Sequence, residues 1–154
     1  MIQFQEMNEQ EFMNFRARSL KEYTQEISEN YDITLERASE QASKQFNELL
    51  SDGQHTEDHF IFKLVDDQLQ KSVGVIWYFF DKDEKKAFIY EIWMDPTHRG
   101  KGYGSEAIEM YHKRAKDLGA RKVGLHVFGK NAGAIKLYNR LGYEATGIVM
   151  EKQL

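Results

Sequence analysis

Apolar positions in the first fifty residues recur at helical spacing. Met13, Ala17, Leu20 and Ile27 share one face of a helix from Glu9 to about Ser28, with Asn8 placed to cap it. Leu35, Ala38, Ala42, Phe46 and Leu49 form a second stripe, capped by Thr34 and ended by Ser51-Asp52-Gly53. Gln3 to Met7, ahead of both, reads as a short strand. From Phe60 the pattern changes. Phe60–Val65 and Val73–Phe80 are apolar runs of strand length, with Asp66-Asp67-Gln68 near the turn between them. Ala87–Met94 is another, entered from the charged turn Asp81–Lys86. The helical period returns at Ala107, Ile108, Tyr111, Ala115 and Leu118, closed by Gly119. Val123–Phe128 is a strand, and Asn131–Leu141 a helix with Asn131 as cap and Gly142 as stop. Tyr143–Leu154 has room for one or two closing strands.

The order is β-α-α-β-β-β-α-β-α-β. It predicts an α/β fold with a mixed, mostly antiparallel central sheet flanked by helices. The 154 residues fit one domain spanning 1–154, since the only proline is Pro96 and no linker or repeat interrupts the chain. Composition removes several chemistries. Without cysteine there is no disulfide, no thiolate nucleophile and no Cys-bearing zinc site. The N-terminus lacks a basic and then apolar leader, and the Val73–Phe80 run is too short to cross a bilayer. A cytoplasmic protein with no membrane partner is the expectation. The net charge of -4 argues against a nucleic-acid partner. The basic residues Lys113, Arg114, Lys116, Arg121 and Lys122 read as the wet face and end of a helix. His55-Thr56-Glu57-Asp58-His59 lacks the H-E-x-x-H order and a third ligand, so no metal is expected.

The richest stretch is Met94-Asp95-Pro96-Thr97-His98-Arg99-Gly100-Lys101-Gly102-Tyr103-Gly104-Ser105. It joins a strand to a helix, with three glycines at alternate positions and Arg99 and Lys101 among them. Glycine lets backbone approach a ligand, and a helix start offers free N–H groups, a pairing that binds phosphate. The G-x-G-x-x-G dinucleotide loop is excluded, because Ser105 stands at the third glycine position, and the G-x-x-x-x-G-K-[ST] loop is absent.

Arg99 to Gly104 resembles the R/Q-x-x-G-x-G/A motif of the GNAT superfamily of N-acetyltransferases. Asn131 to Tyr143 is similar to that family's second block, N-x-x-A-x-x-L-Y-x-x-x-G-F/Y. The order of the two blocks, the strand between them and the element order over nearly the whole chain also match. The resemblance implies acetyl-CoA as co-substrate. Its pyrophosphate would lie on the backbone of Gly100, Lys101, Gly102, Tyr103, Gly104 and Ser105 beside Arg99. Its pantetheine arm would lie along Ile92, Trp93 and Met94, with Asn131 contacting the cofactor as well as capping its helix. Tyr138 matches the tyrosine that faces the sulfur and protonates the leaving thiolate, a step that a neutral phenol can perform. Two side chains are candidate bases for the acceptor amine. Glu91 lies where related enzymes place an acidic base or amine anchor. His126 lies where some ribosomal-protein N-terminal acetyltransferases carry a glutamate. In the family the acceptor is covered by the segment between the first two helices, here about Glu22 to Thr34, with Tyr23, Glu26, Glu29, Tyr31 and Asp32. Its acidity suits a cationic acceptor.

The implied activity is direct acetyl transfer to a primary amine of a small molecule or protein, in a ternary complex and a monomer or homodimer. The alternative is a silent acetyl-CoA-binding sensor or docking module. Polyamines, aminoglycosides, amino acids and protein N-termini all remain open as acceptors.

Overall fold

The computed structural model describes all 154 residues. Strand β1 (Ile2–Glu6) leads into helices α1 (Glu9–Tyr31) and α2 (Leu35–Leu49). Strands β2 (His59–Asp66), β3 (Lys71–Asp81) and β4 (Lys86–Met94) follow, then α3 (Tyr103–Leu118), β5 (Lys122–Leu125) and α4 (Ala132–Arg140). The strands form one sheet in the order β1-β2-β3-β4-β5. The first three pairings are antiparallel and the last, β4 with β5, is parallel.

Alternation along the strands supplies both faces of the sheet with apolar side chains. Ile2, Phe4, Leu64, Ile76, Tyr78 and Ile89 point to one face and meet Ala107, Tyr111 and Ala115 of α3. Met7, Ile61, Val75 and Trp77 point to the other and meet Phe12 and Phe15 of α1 and Phe46 of α2. Leu64 and Ile76 are fully buried, and each such side chain contributes about 1.5–3 kcal/mol. The helices α1 and α2 close on each other through Ile27, Ala38 and Ala42.

Three sequence expectations shift. The buried stripe of α1 is Phe12, Phe15, Ser19 and Ile27, while Met13 is exposed. Two phenylalanines outweigh a methionine and an alanine in choosing the buried face. The helix also runs through Tyr31, because no glycine or proline interrupts it, so most of the Glu22–Thr34 segment is helical rather than a loop. The closing strand does not form: residues 143–154 carry no regular structure, and Ile148, Val149 and Met150 are exposed. β5 pairs over only four residues, which gives the tail a short template. The caps hold as read: Asn8 and Glu11 form a reciprocal capping box, Thr34 caps α2 and Asn131 caps α4.

His59 ties β2 to β3, its Nδ1 accepting the Trp77 indole N–H at 3.0 Å. Burial pulls His59 below the ordinary 6.5, with Asp58 opposing, and the accepted bond likewise needs an unprotonated Nδ1. The folded chain then resists a proton that the unfolded chain accepts, so this contribution is complete above pH 6.5 and fades as pH falls below it. Melting curves of wild type and His59→Gln should therefore differ most at pH 7.5 and converge toward pH 5.5. A gap that stays constant with pH would contradict this role.

Candidate active site

A single extra residue in β4 sets up the site. Trp77 is paired with Glu91 but Tyr78 with Ile89, so Tyr90 is the unpaired residue of a β-bulge. Before the bulge Ala87 and Ile89 face α3; after it Ile92 and Met94 do. Tyr90 and Glu91 therefore both turn toward α1 and α2, where Tyr90 stacks on Trp77 at 4.8 Å and Glu91 meets Arg18. The other edge of β4 opens at the same place. β5 pairs with β4 only from Lys86 to Ile89, so Tyr90 to Met94 have β3 on one side and no strand on the other. An open edge presents backbone N–H and C=O groups to anything entering the cleft.

Beyond β4 the chain makes a 3₁₀ turn at Pro96–His98 and enters α3. Gly100 and Gly102 have φ of +76° and +85°, and Gly102 is the N-cap. Only glycine takes these angles without strain. The Glu106 N–H, bonded to the Gly102 carbonyl, opens the helical ladder, which leaves the N–H groups of Tyr103, Gly104 and Ser105 without helical acceptors. Two side chains fix the loop. Arg99 Nε donates to the Met94 carbonyl at 3.0 Å, and the Tyr103 hydroxyl donates to Asp66 Oδ2 at 2.6 Å. The second bond, with N–H groups from Leu69 and Gln68, holds the Asp66 carboxyl below its usual range.

Between the open edge of β4, helix α1 and the β5–α4 segment lies a cavity of about 560 Å³. Glu91, Ile92, Trp93, His126, Asn131 and Tyr138 all line it, so residues far apart in sequence converge here. Arg99 to Ser105, and Met94, are not among its lining residues; they form the loop past the end of β4. Glu91 is held by the two terminal guanidinium nitrogens of Arg18, each at 3.2 Å, and Arg18 also pairs with Glu22 at 3.0 Å. The same guanidinium lies over the Trp93 ring, 3.9 Å from its centroid. Burial raises the Glu91 pKa, and Arg18 opposes that rise. Burial likewise raises Tyr138, so its phenol keeps its proton at neutral pH. The Trp93 Nε1 donor is buried without a partner. At the far end Tyr31 meets Phe128 edge-on at 5.9 Å, which joins α1 to the β5–α4 connection.

The arrangement offers a proton acceptor, a proton donor and an open strand edge around one space. Arg18, Trp77 and Tyr90 were not foreseen. Arg18 lies one turn before Glu22, but nothing in the sequence ties it to Glu91, 73 positions away. The bulge has no marker either, because Ile89 to Trp93 lacks the glycine that often signals one.

Comparison with known proteins fits this geometry. Residues 19–143 match the family model described as the acetyltransferase (GNAT) family. The chain is 32% identical over 152 residues to the uncharacterized N-acetyltransferase YdgE of Bacillus subtilis, covering 97% of this chain and 96% of that one. The crystal structure of YycN, another uncharacterized N-acetyltransferase of B. subtilis, superposes with a TM-score of 0.93 at 31% identity, covering 100% and 99% of the two chains. Spermidine N-acetyltransferase from Vibrio cholerae, solved with CoA and spermine, has a TM-score of 0.69 over 99% of this chain and 86% of that one; at 18% identity the likeness is one of fold.

Proposed function

Because this chain belongs to the acetyltransferase (GNAT) family, whose members are acetyl-CoA-dependent acyltransferases, we propose that it acetylates a primary amine by direct transfer, with both substrates in the one cavity. The observation that carries this reading is the convergence of Glu91, His126 and Tyr138 on the cavity beside the open edge of β4.

The residues present suit acetyl-CoA. The N–H groups at the start of α3 and the positive-φ glycines are chemically matched to a pyrophosphate. The free edge at Ile92, Trp93 and Met94 is matched to the amides of the pantetheine arm, with Asn131 across the cavity. Acetyl-CoA supplies the activated thioester. The chain's part is to orient the amine, take its proton, steady the developing oxyanion with a strand N–H, and protonate the departing sulfur. Tyr138 is the proton donor in this reading. Glu91 or His126 handles the amine, with Arg18 keeping Glu91 oriented. With no cysteine in the chain, there is no Cys-bound acyl intermediate.

The test is release of CoA from acetyl-CoA in the presence of a panel of amines. Turnover is expected for at least one class. If Glu91 serves the amine, Glu91→Gln lowers turnover and flattens the acidic limb of the pH–rate profile; if His126 does, His126→Ala has that effect. Acetyl-CoA binding without CoA release from any amine would overturn the reading in favour of a silent binding module.

A further inference from the structure

The charge around the cavity is one-sided. Glu22, Glu26 and Glu91 border it, and no lysine or arginine is among its lining residues. The single guanidinium in reach, Arg18, is shared between Glu91 and Glu22. Glu26 has neither an ion-pair partner nor a side-chain hydrogen bond, and it stays in contact with solvent at the cavity's rim. Crowding by protein and then the charges of Glu22, Glu91 and Glu29 raise its pKa, as expected for a carboxylate that lacks a cation. Three carboxylates against one guanidinium leave the cavity short of positive charge.

Geometry sorts those carboxylates along an axis. Arg18, Glu22 and Glu26 succeed one another at four-residue steps on one face of α1. At 1.5 Å per residue, Glu26 sits about 12 Å along the helix from Arg18 and its partner Glu91. Glu91, half-buried on β4 against Arg18, marks the inner end, and Glu26, exposed on the last turns of α1 before Tyr31, marks the outer end, with Tyr138 lining the same cavity. The wall beside α1 carries aromatic faces, Tyr23 and Tyr90 among them, which attract ammonium groups and accept methylene chains. A phosphate or carboxylate on the acceptor would meet this negative enclosure with no cationic side chain in the wall. A simple monoamine would answer the inner end and leave Glu26 unmatched.

We infer, resting on the acetyltransferase reading of the same cavity, that the acceptor is an aliphatic dication. One amine reacts at the inner end between Glu91 and Tyr138, and a second ammonium, several methylenes away, sits on Glu26. Glu26 is thereby a specificity-determining residue, and selectivity for a second positive charge is its signature.

Three probe series of matched length test this at constant ionic strength: α,ω-diaminoalkanes of three to eight carbons, n-alkylamines, and ω-amino acids. The diamines should exceed the alkylamines in kcat/KM by about tenfold or more, and the ω-amino acids should be poorest. Glu26→Gln should raise KM for the best diamine about tenfold and shrink its advantage over the alkylamine, while Glu26→Asp should restore part of it. Circular dichroism confirms that both variants fold. Alkylamines or ω-amino acids that match the diamines, or a diamine preference that survives Glu26→Gln, would overturn the inference while leaving the acetyltransferase reading intact. No CoA release in any of the three series would overturn this inference, whereas the acetyltransferase reading falls only if the wider amine panel is silent too.

Discussion

Tyr138→Phe is expected to lower kcat by about 10²-fold, the usual range for loss of a general acid. Phenylalanine keeps the ring, and with it the edge-on contact to Tyr143 at 5.6 Å and the place in the cavity wall. Only the hydroxyl is lost, and it makes no hydrogen bond to the protein that would hold α4 in place. No residue of α4 is fully buried, so the helix has little packing to lose. Acetyl-CoA affinity and melting temperature should therefore change little. The loss belongs to the transition state, where a thiolate departs and needs a proton. Steady-state kinetics with a good acceptor amine, alongside calorimetry, separate the two quantities. Full kcat in the variant would remove Tyr138 from the mechanism and leave protonation of CoA to water.

Gly102→Val should act on binding instead. At φ +85° a β-branched residue is strained by about 1–2 kcal/mol. A Cβ at Gly102 would meet no protein atom within 4 Å, so the core is untouched and the fold should survive. The isopropyl group would stand at the N-cap of α3, in front of the N–H groups of Tyr103, Gly104 and Ser105. The strain lowers stability in the free and bound states alike, whereas obstruction of those N–H groups, a loss of about 2 kcal/mol of hydrogen bonding to a charged group, predicts a loss of acetyl-CoA affinity of about 30-fold, since each 1.4 kcal/mol is a factor of ten. Calorimetry that returned wild-type affinity would detach this loop from the pyrophosphate.

Much of the frame could be read from periodicity. The strands beginning near Phe60, Val73 and Ala87 were legible because they are apolar runs bounded by charged turns, and α3 because its stripe ends at a glycine. The loop was legible because positive φ needs glycine, and glycine is visible in sequence. Local caps at Asn8, Thr34 and Asn131 were legible for the same reason: their bonds span three residues. What stayed hidden depends on distance. Arg18 meets Glu91 only after the sheet and α1 are packed, and the buried face of α1 is settled by contact with Trp77 and Phe46 rather than by its own spacing. The tail misled because Ile148-Val149-Met150 has strand-forming residues, but strand formation needs a partner, and β5 stops at Leu125.

The bulge at Tyr90 makes β4 behave like a reading frame. Ahead of it, the turn Asp81–Lys86 is surface, and a residue gained or lost there would shift nothing downstream once the strand pairs again. Between Ile89 and Met94 the count matters: loss of Tyr90 would turn the bulge into regular pairing and leave Ile92 opposite Ile76, whereas a residue inserted after Glu91 and paired regularly would exchange the two faces of everything that follows. After such an insertion Trp93 would turn into the apolar layer against α3, and Ile92 and Met94 toward α1 and Arg18. Substitutions in this stretch alter one side chain at a time, whereas a change of length rewrites the whole wall at once. Descendants of this chain are thus free to vary the letters of that segment far more readily than its count.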